Sequence, residues 1–248
     1  MYNKKELRNI LRANFSDLNG RKTDQQLKLP QPPLEKEVTE EVIIDLEKPF
    51  VPKKNNLKDC IRKRRSRRVF KDNPLTLQEL TWLLWASQGV KSVIRREEMD
   101  YASLRTVPSG GARHPFETYI IVLNTEGLEK GIYRYIALEH KLAFLGCPDN
   151  LNEKINKATF GQNFCGRSGA VFVWSVVPYR TEWRYSETSY KTILLDAGHI
   201  CQNLYLAAES VRAGACAIAA YDQEKLDTLL GLDGTDEFAI YLSPVGKT

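Results

Sequence analysis

The stretch KTILLDAGHICQNLYLAAESVRAGACAI, residues 191–218, decides the fold. Ile193, Ala197, Ile200, Leu204, Ala208 and Val211 recur at alternating four- and three-residue steps, which sets them on one helical face. That face carries no charge, so the spacing predicts a long core helix over 191–212. The small residues that follow, Gly214-Ala215-Cys216-Ala217-Ile218, read as chain passing close to something planar, or simply as a helix stop.

Downstream of this helix the pattern predicts a short strand over Ala215–Ala220, a helix capped by Asp222 and running through Leu230, and a last strand over Phe238–Leu242. Lys247 lies just beyond, as a candidate cation or an exposed tail charge. Upstream, Val171–Val177 and the β-branched run Thr118–Leu123 are predicted buried strands, with Gly131–Tyr135 and Lys141–Leu145 as a hairpin. Thr76-Leu77-Gln78-Glu79 is a capping box ahead of the stripe Leu77, Leu80, Leu83 and Leu84, which ends at Gly89. A further helix is expected from Leu57 to about Arg65. Strands and helices do not strictly alternate, so the class is α+β.

Residues 2–14 suit a short basic helix, and 27–52 carry Pro30, Pro32, Pro33, Pro49 and Pro52, as an extended surface arm would. The expected division is therefore a leader and arm over 1–55 and a folded domain over 56–248. The 248 residues suffice for one substantial core, and 42% hydrophobic with 27% charged residues excludes a largely disordered chain. No apolar run is long enough to span a bilayer, and MYNKKELRNILRANF is too charged for a secretory signal, so the expected compartment is the cytoplasm, without membrane association. The five cysteines form no C-x-x-C pair, which signals neither a disulfide framework nor a metal site; Cys201 reads as a buried thiol.

Two segments carry the chemistry. In Arg62–Arg68 only Ser66 is neither Lys nor Arg, and guanidiniums flanking a hydroxyl suit a phosphomonoester. A solvated charge run is the plainer reading, and a nucleic-acid-binding face over 53–71 is a competing one. The second segment is Pro108-Ser109-Gly110-Gly111-Ala112-Arg113-His114-Pro115, where adjacent glycines would let backbone approach a flat ligand while Ser109 and Arg113 offer donors. A Gly-Gly turn alone is also an ordinary loop.

Four ordered strings together resemble the nitroreductase superfamily: Arg64-Arg65-Ser66-x-Arg68-x-Phe70, Leu-x-Glu-Leu-x-x-Leu-Leu-Trp-Ala-x-Gln-Gly at 77–89, the 108–115 string, and Asp-Ala-Gly-His-x-x-Gln-Asn-Leu-Tyr-Leu-Ala-Ala at 196–208. Within it they look most like the branch of SagB-type dehydrogenases, which oxidise peptide azolines to thiazoles and oxazoles. The resemblance implies a nitroreductase-like α+β fold, with a central mixed or antiparallel sheet flanked by helices, and a domain-interlocked homodimer. It implies FMN, held non-covalently at the subunit interface. Arg64, Ser66 and Arg68, with Arg65, would hold the phosphate or ribityl tail; Pro108, Ser109, Gly110, Ala112 and Arg113 would lie along the ring. Gly214 and Ala215 would pass the isoalloxazine, and Lys247 would reach the phosphate.

The implied reaction is ping-pong: NADH or NADPH reduces the flavin, then a nitro, quinone or other small-molecule or peptide acceptor takes the hydride. The azoline branch assigns acid–base work to a Lys-Tyr pair. Here Trp183-Arg184-Tyr185 and Tyr190-Lys191 offer Tyr185 or Tyr190 for the tyrosine role, but the dipeptide itself is absent, and arginine is a poor proton shuttle. His199 reads as structural, whereas His114 is open between the two roles. A flavin-binding scaffold without turnover is the remaining reading of another class.

Overall fold

The computed structural model describes residues 4–12, 15–49, 52 and 56–248. The chain runs α1 (Lys4–Arg12), β1 (Ile43–Asp45), α2 (Leu57–Lys63), β2 (Leu75–Thr76), α3 (Leu77–Gln88), β3 (Val90–Arg96), β4 (Met99–Arg105), β5 (Phe116–Val122), β6 (Thr125–Glu126) and β7 (Gly131–Ile136). It continues with β8 (Lys141–Gly146), α4 (Leu151–Ala158), β9 (Ala170–Val176), α5 (Tyr179–Tyr185), α6 (Ser189–Ser210), β10 (Ala213–Ala215), α7 (Gln223–Leu230) and β11 (Phe238–Lys247).

Seven strands form one sheet in the order β1-β8-β7-β5-β9-β11-β10, and every neighbouring pair is antiparallel. The expectation of a mixed or antiparallel sheet thus resolves to the antiparallel one, in an α+β fold. β5, β7 and β9 are buried along their whole length, because helices cover both faces of the sheet. Successive side chains of a strand point to opposite faces. Phe172 and Trp174 of β9 therefore pack with Leu80, Leu83 and Leu84 of α3 and Ile193 and Leu204 of α6. Val171 and Val173 pack with Leu151 and Ile155 of α4 and Leu226 and Leu230 of α7.

The predicted long helix is α6, and five of the six residues of its apolar stripe, Ile193 to Ala208, lie buried within it, with Val211 at its C-cap. The capping box forms: Glu79 N–H donates to Thr76 Oγ1 at 3.2 Å, and Thr76 N–H donates to the Glu79 carboxylate at 3.0 Å. The short strand expected over Ala215–Ala220 instead covers Ala213–Ala215, paired with Val245–Lys247, and the chain then leaves the sheet except for a bridge between Ile218 and Leu242. α2 stops at Lys63 rather than near Arg65, because Arg64 turns to extended backbone. The first helix is described over Lys4–Arg12; positions 2, 3, 13 and 14 of that expectation lie outside the described residues.

The arm is more than a surface strap. Leu34 is buried, and β1 pairs with β8 to extend the sheet. Buried charges hold it down: the Glu117 carboxylate accepts from Lys36 N–H at 2.7 Å and from Arg180 at 2.6 Å, while Arg134 reaches Glu40 at 2.9 Å and the carbonyls of Lys36 and Glu37. Pairing of this kind is what makes burial of such groups tolerable. Among the described residues no helix is long and apolar enough to cross a membrane.

Candidate functional site

The C-terminal half of α6 organises the basic cluster. Once α2 ends, residues 66–71 run extended beside the last strands. Ser66 forms a parallel bridge with Ala215, Arg67 N–H donates to Ala215 O at 2.9 Å, and Lys71 N–H donates to Lys247 O at 2.8 Å. Tyr205 of α6 ties the pieces together: its hydroxyl lies 2.9 Å from Ser66 Oγ and accepts from Ala217 N–H at 2.7 Å. The Arg64 guanidinium sits over the Tyr205 ring, 5.2 Å from its centroid. Arg64, Ser66, Gly214 and Ala215, separate in sequence, are thus neighbours, with Arg68 close enough to the Cys216 thiol to act on it electrostatically.

This cluster is chemically suited to an anion. Among the described residues Arg62 pairs with Asp59 at 3.1 Å and Arg67 with Glu209 at 3.6 Å, and even so the Arg67 Nε is buried with no acceptor. Among the described residues, Arg64, Arg65 and Arg68 make no ion pair. Two uncompensated guanidiniums, Arg64 and Arg68, beside the exposed Ser66 hydroxyl form a donor set that fits a phosphate dianion. Gly214 has a local reason of its own: a Cβ there would fall 2.5 Å from Arg67 Cγ and 2.6 Å from Thr248 Cγ2. The small-residue run therefore lets Arg67 lie across the strand. Burial pushes the Cys216 thiol up, against the opposing pull of Arg68, which leaves it unreactive.

The glycine loop is anchored to the N-terminal half of α6. Gly110 N–H donates to the Asp196 carboxylate at 3.1 Å, and Ser109 Oγ accepts from His114 N–H at 2.9 Å while also bonding Asp196. A Cβ on Gly110 would overlap Thr192 Cγ2; one on Gly111, whose φ is +60°, would fall 2.6 Å from the Tyr185 hydroxyl and 3.0 Å from Arg184. The close backbone approach that the sequence suggested is thus made first to α5 and α6. Ala112 takes a positive φ of 53°, held by its N–H to Ser109 O at 3.0 Å. Pro108, exposed, leads into this turn.

Several expected donors are already committed. Arg113 is buried and donates to Gly111 O at 3.1 Å and Tyr101 O at 2.8 Å. Lys247 donates to Glu79 at 2.5 Å and to Val211 O at 3.1 Å, which ties the end of β11 to α3 and to the end of α6. Tyr190 is exposed, bonded to Glu182, with its phenol pushed up chiefly by desolvation. Tyr185 touches the loop and takes Phe15 against its edge at 5.9 Å. His114 is buried, and desolvation, with Arg105 and Arg113 nearby, pushes it down to about 3, so it is neutral and structural. His199, expected to be structural, is half-exposed, 3.9 Å from Asp196.

Residues that sequence reasoning missed complete both halves: Tyr205 and Asp196 as anchors, and Tyr101 with Arg96 beside the loop. Tyr205 and Asp196 stand inside the quoted helix but off its regular stripe. Tyr101 belongs to the β3–β4 hairpin, which no periodicity announced. Tyr205 lies nine residue steps after Asp196 on α6, about 13 Å along the axis.

Fold and site together define a class: an α+β protein whose long helix links an uncompensated arginine cluster to a glycine loop. The sequence matches the nitroreductase family over residues 61–247, and the chain belongs to that family. It is 30% identical over 191 residues to a protein of Methanocaldococcus jannaschii named as a nitroreductase, covering 77% of this chain and 90% of that one. It is 27% identical over 172 residues to the trifolitoxin-processing protein TfxB of Rhizobium leguminosarum bv. trifolii, covering 68% of this chain. A solved structure from Anabaena variabilis, also named as a nitroreductase, superposes with a TM-score of 0.68 at 27% identity over 83% of this chain. The chain spans 46% of the Rhizobium protein and 41% of the Anabaena one.

Proposed function

We propose that this protein is an FMN-dependent oxidoreductase that takes hydride from NADH or NADPH and passes it to a nitro- or quinone-type acceptor. The observation that carries the reading is the arginine cluster: Arg64 lies over Tyr205, Ser66 bonds Tyr205 and bridges β10, and Arg68 stands near Cys216, with Arg64 and Arg68 uncompensated among the described residues and Arg65 beside them in sequence. They would hold the flavin phosphate. When bound, FMN supplies the two-electron hydride chemistry, and the chain supplies binding, orientation and a proton. Ser109, Gly110 and Ala112 would lie along the flavin ring, in a loop that Asp196 fixes in place.

The active unit in this proposal is a homodimer with the flavin between two copies. Leu194 and Leu195 of α6 are 47% and 56% exposed, and Ile10, Leu11 and Phe15 expose further apolar surface, an area that a second copy would cover. The experiment is anaerobic mixing of the purified protein with NADH and with NADPH. Bleaching of bound flavin by one of them is expected; bound flavin that neither bleaches would leave the chain a flavin-binding scaffold.

A second reading is oxidation of peptide azolines, which the similarity to a toxin-processing protein favours. Tyr185, against Gly111, would take the tyrosine role there. Arg184 in place of a lysine weighs against it, since a guanidinium does not release its proton in the working pH range.

A further inference from the structure

We infer that Tyr101, held among Gln25, Arg96, Arg113 and Arg184, is the proton donor to an acceptor whose oxygen gains negative charge on reduction. The inference rests on the flavin reading above and names a catalytic group for it outside the expected tyrosines.

The geometry is a hydroxyl whose acceptor capacity is used and whose proton is not. Tyr101 Oη accepts from Gln25 Nε2 at 3.0 Å and from Arg184 Nη1 at 3.0 Å. Among the described residues no group accepts the Tyr101 proton, which leaves it for a bound molecule. The guanidinium of Arg96 lies 3.8 Å from the ring centroid and that of Arg113 5.1 Å. Burial pushes the phenol up, but the Gln25 hydrogen bond and the charges of Arg184, Arg113 and Arg96 outweigh it, so Tyr101 lies below its ordinary range. Desolvation raises the other shifted phenols, Tyr119, Tyr133, Tyr135, Tyr179, Tyr190, Tyr221 and Tyr241.

The position is also right. Arg113 joins Tyr101 to the glycine loop, and Arg184 continues into Tyr185, whose hydroxyl touches Gly111. One side of this patch is the leader: Gln25 N–H donates to Trp183 O at 2.8 Å, and Trp183 Nε1 donates to Leu29 O at 3.0 Å. Gln25 is thereby a positioning residue delivered by the segment before the arm.

The proton balance closes with water. With FMN bound to supply the hydride, the Tyr101 O–H bond would break and its proton would pass to the quinone or nitro oxygen that gains charge. The phenolate stays against Arg184 and Gln25 until water returns a proton.

The test is Tyr101→Phe, which keeps the ring on which Arg96 and Arg113 stack, in stopped-flow half-reactions. NAD(P)H should reduce the variant's flavin at the wild-type rate, while reoxidation by menadione falls on the order of 10²- to 10⁴-fold. Ultraviolet difference titration of flavin-free protein should show one tyrosine ionising before the rest in the wild type and none in the variant. Gln25→Leu should push that early titration up and slow reoxidation less than Tyr101→Phe does, a readout that stands if the first variant fails to fold. A yellow, reducible Tyr101→Phe protein that reoxidises normally overturns the role of Tyr101 alone. A wild-type protein with no early-titrating tyrosine overturns that role as well. A chain that binds no FMN overturns the flavin reading and this one with it.

Discussion

Arg67 and Arg68 are adjacent, yet they face different partners. Arg67 crosses Gly214 and pairs with Glu209, so it works for the fold. Arg68 has no carboxylate partner among the described residues and stands near Cys216, beside Ser66. Arg68→Ala should therefore weaken FMN binding about 10- to 100-fold, the usual worth of a hydrogen bond to a charged group, and leave riboflavin binding unchanged. Fluorescence titration of both flavins checks this; equal loss for the two would remove the phosphate from the cluster. The basic string was legible because Ser66 interrupts it at a fixed place. Its neighbourhood with Ala215 and Tyr205 was not, since that depends on a parallel bridge between segments about 150 residues apart. The Gly110-Gly111 pair was legible as a close approach, but a sequence does not say to what, and here Thr192 and Tyr185 already fill the space.

At the scale of elements, the arm was underestimated and the β3–β4 hairpin was missed. β3 reads Val-Lys-Ser-Val-Ile-Arg-Arg and is mostly exposed, so it lacks the apolar alternation that betrays a strand. α5, a seven-residue helix entered through Pro178, is too short for periodicity to declare. α3 was plain because its capping box is a local device and Leu80, Leu83 and Leu84 lie fully buried at helical spacing. The arm looked like a surface strap from its prolines, whereas its buried carboxylates act at long range. Glu35 accepts from Ala137 N–H at 2.5 Å and from Leu138 N–H at 3.3 Å. Desolvation, with Glu117 nearby, pushes its carboxyl up to about 7, against the pull of Arg105 and those two amides. The folded chain thus binds more protons than the unfolded chain from about pH 4.5 to 7, and stability falls as pH rises through that window. Glu35→Gln, which cannot ionise, should be more stable than wild type at pH 8 by about 1–3 kcal/mol and should match it near pH 4. Urea denaturation at the two pH values measures this, and an unchanged difference between them would show that Glu35 does not titrate on folding.

At the scale of the molecule, the sheet places both halves of the site along one helix. The loop hangs on the start of α6, the arginine cluster on its end, and α3 and β11 lock the far side through Glu79 and Lys247. That plan was readable in outline, because α6, the capping box and the buried strands are each local patterns. The division of labour was not: Lys247 and Arg113, read as ligand contacts, also make hydrogen bonds that hold the fold, and nothing in the sequence marked the Tyr101 hydroxyl that Arg184 and Gln25 hold. The central claim is that the uncompensated cluster around Ser66 and Tyr205 binds FMN. Its most direct test is to denature the purified protein, chromatograph the released flavin, and titrate any flavin-free fraction with FMN. The account predicts a yellow protein that releases FMN in stoichiometric amount, or that takes it up to that level on titration. A colourless chain that binds no added FMN would contradict it.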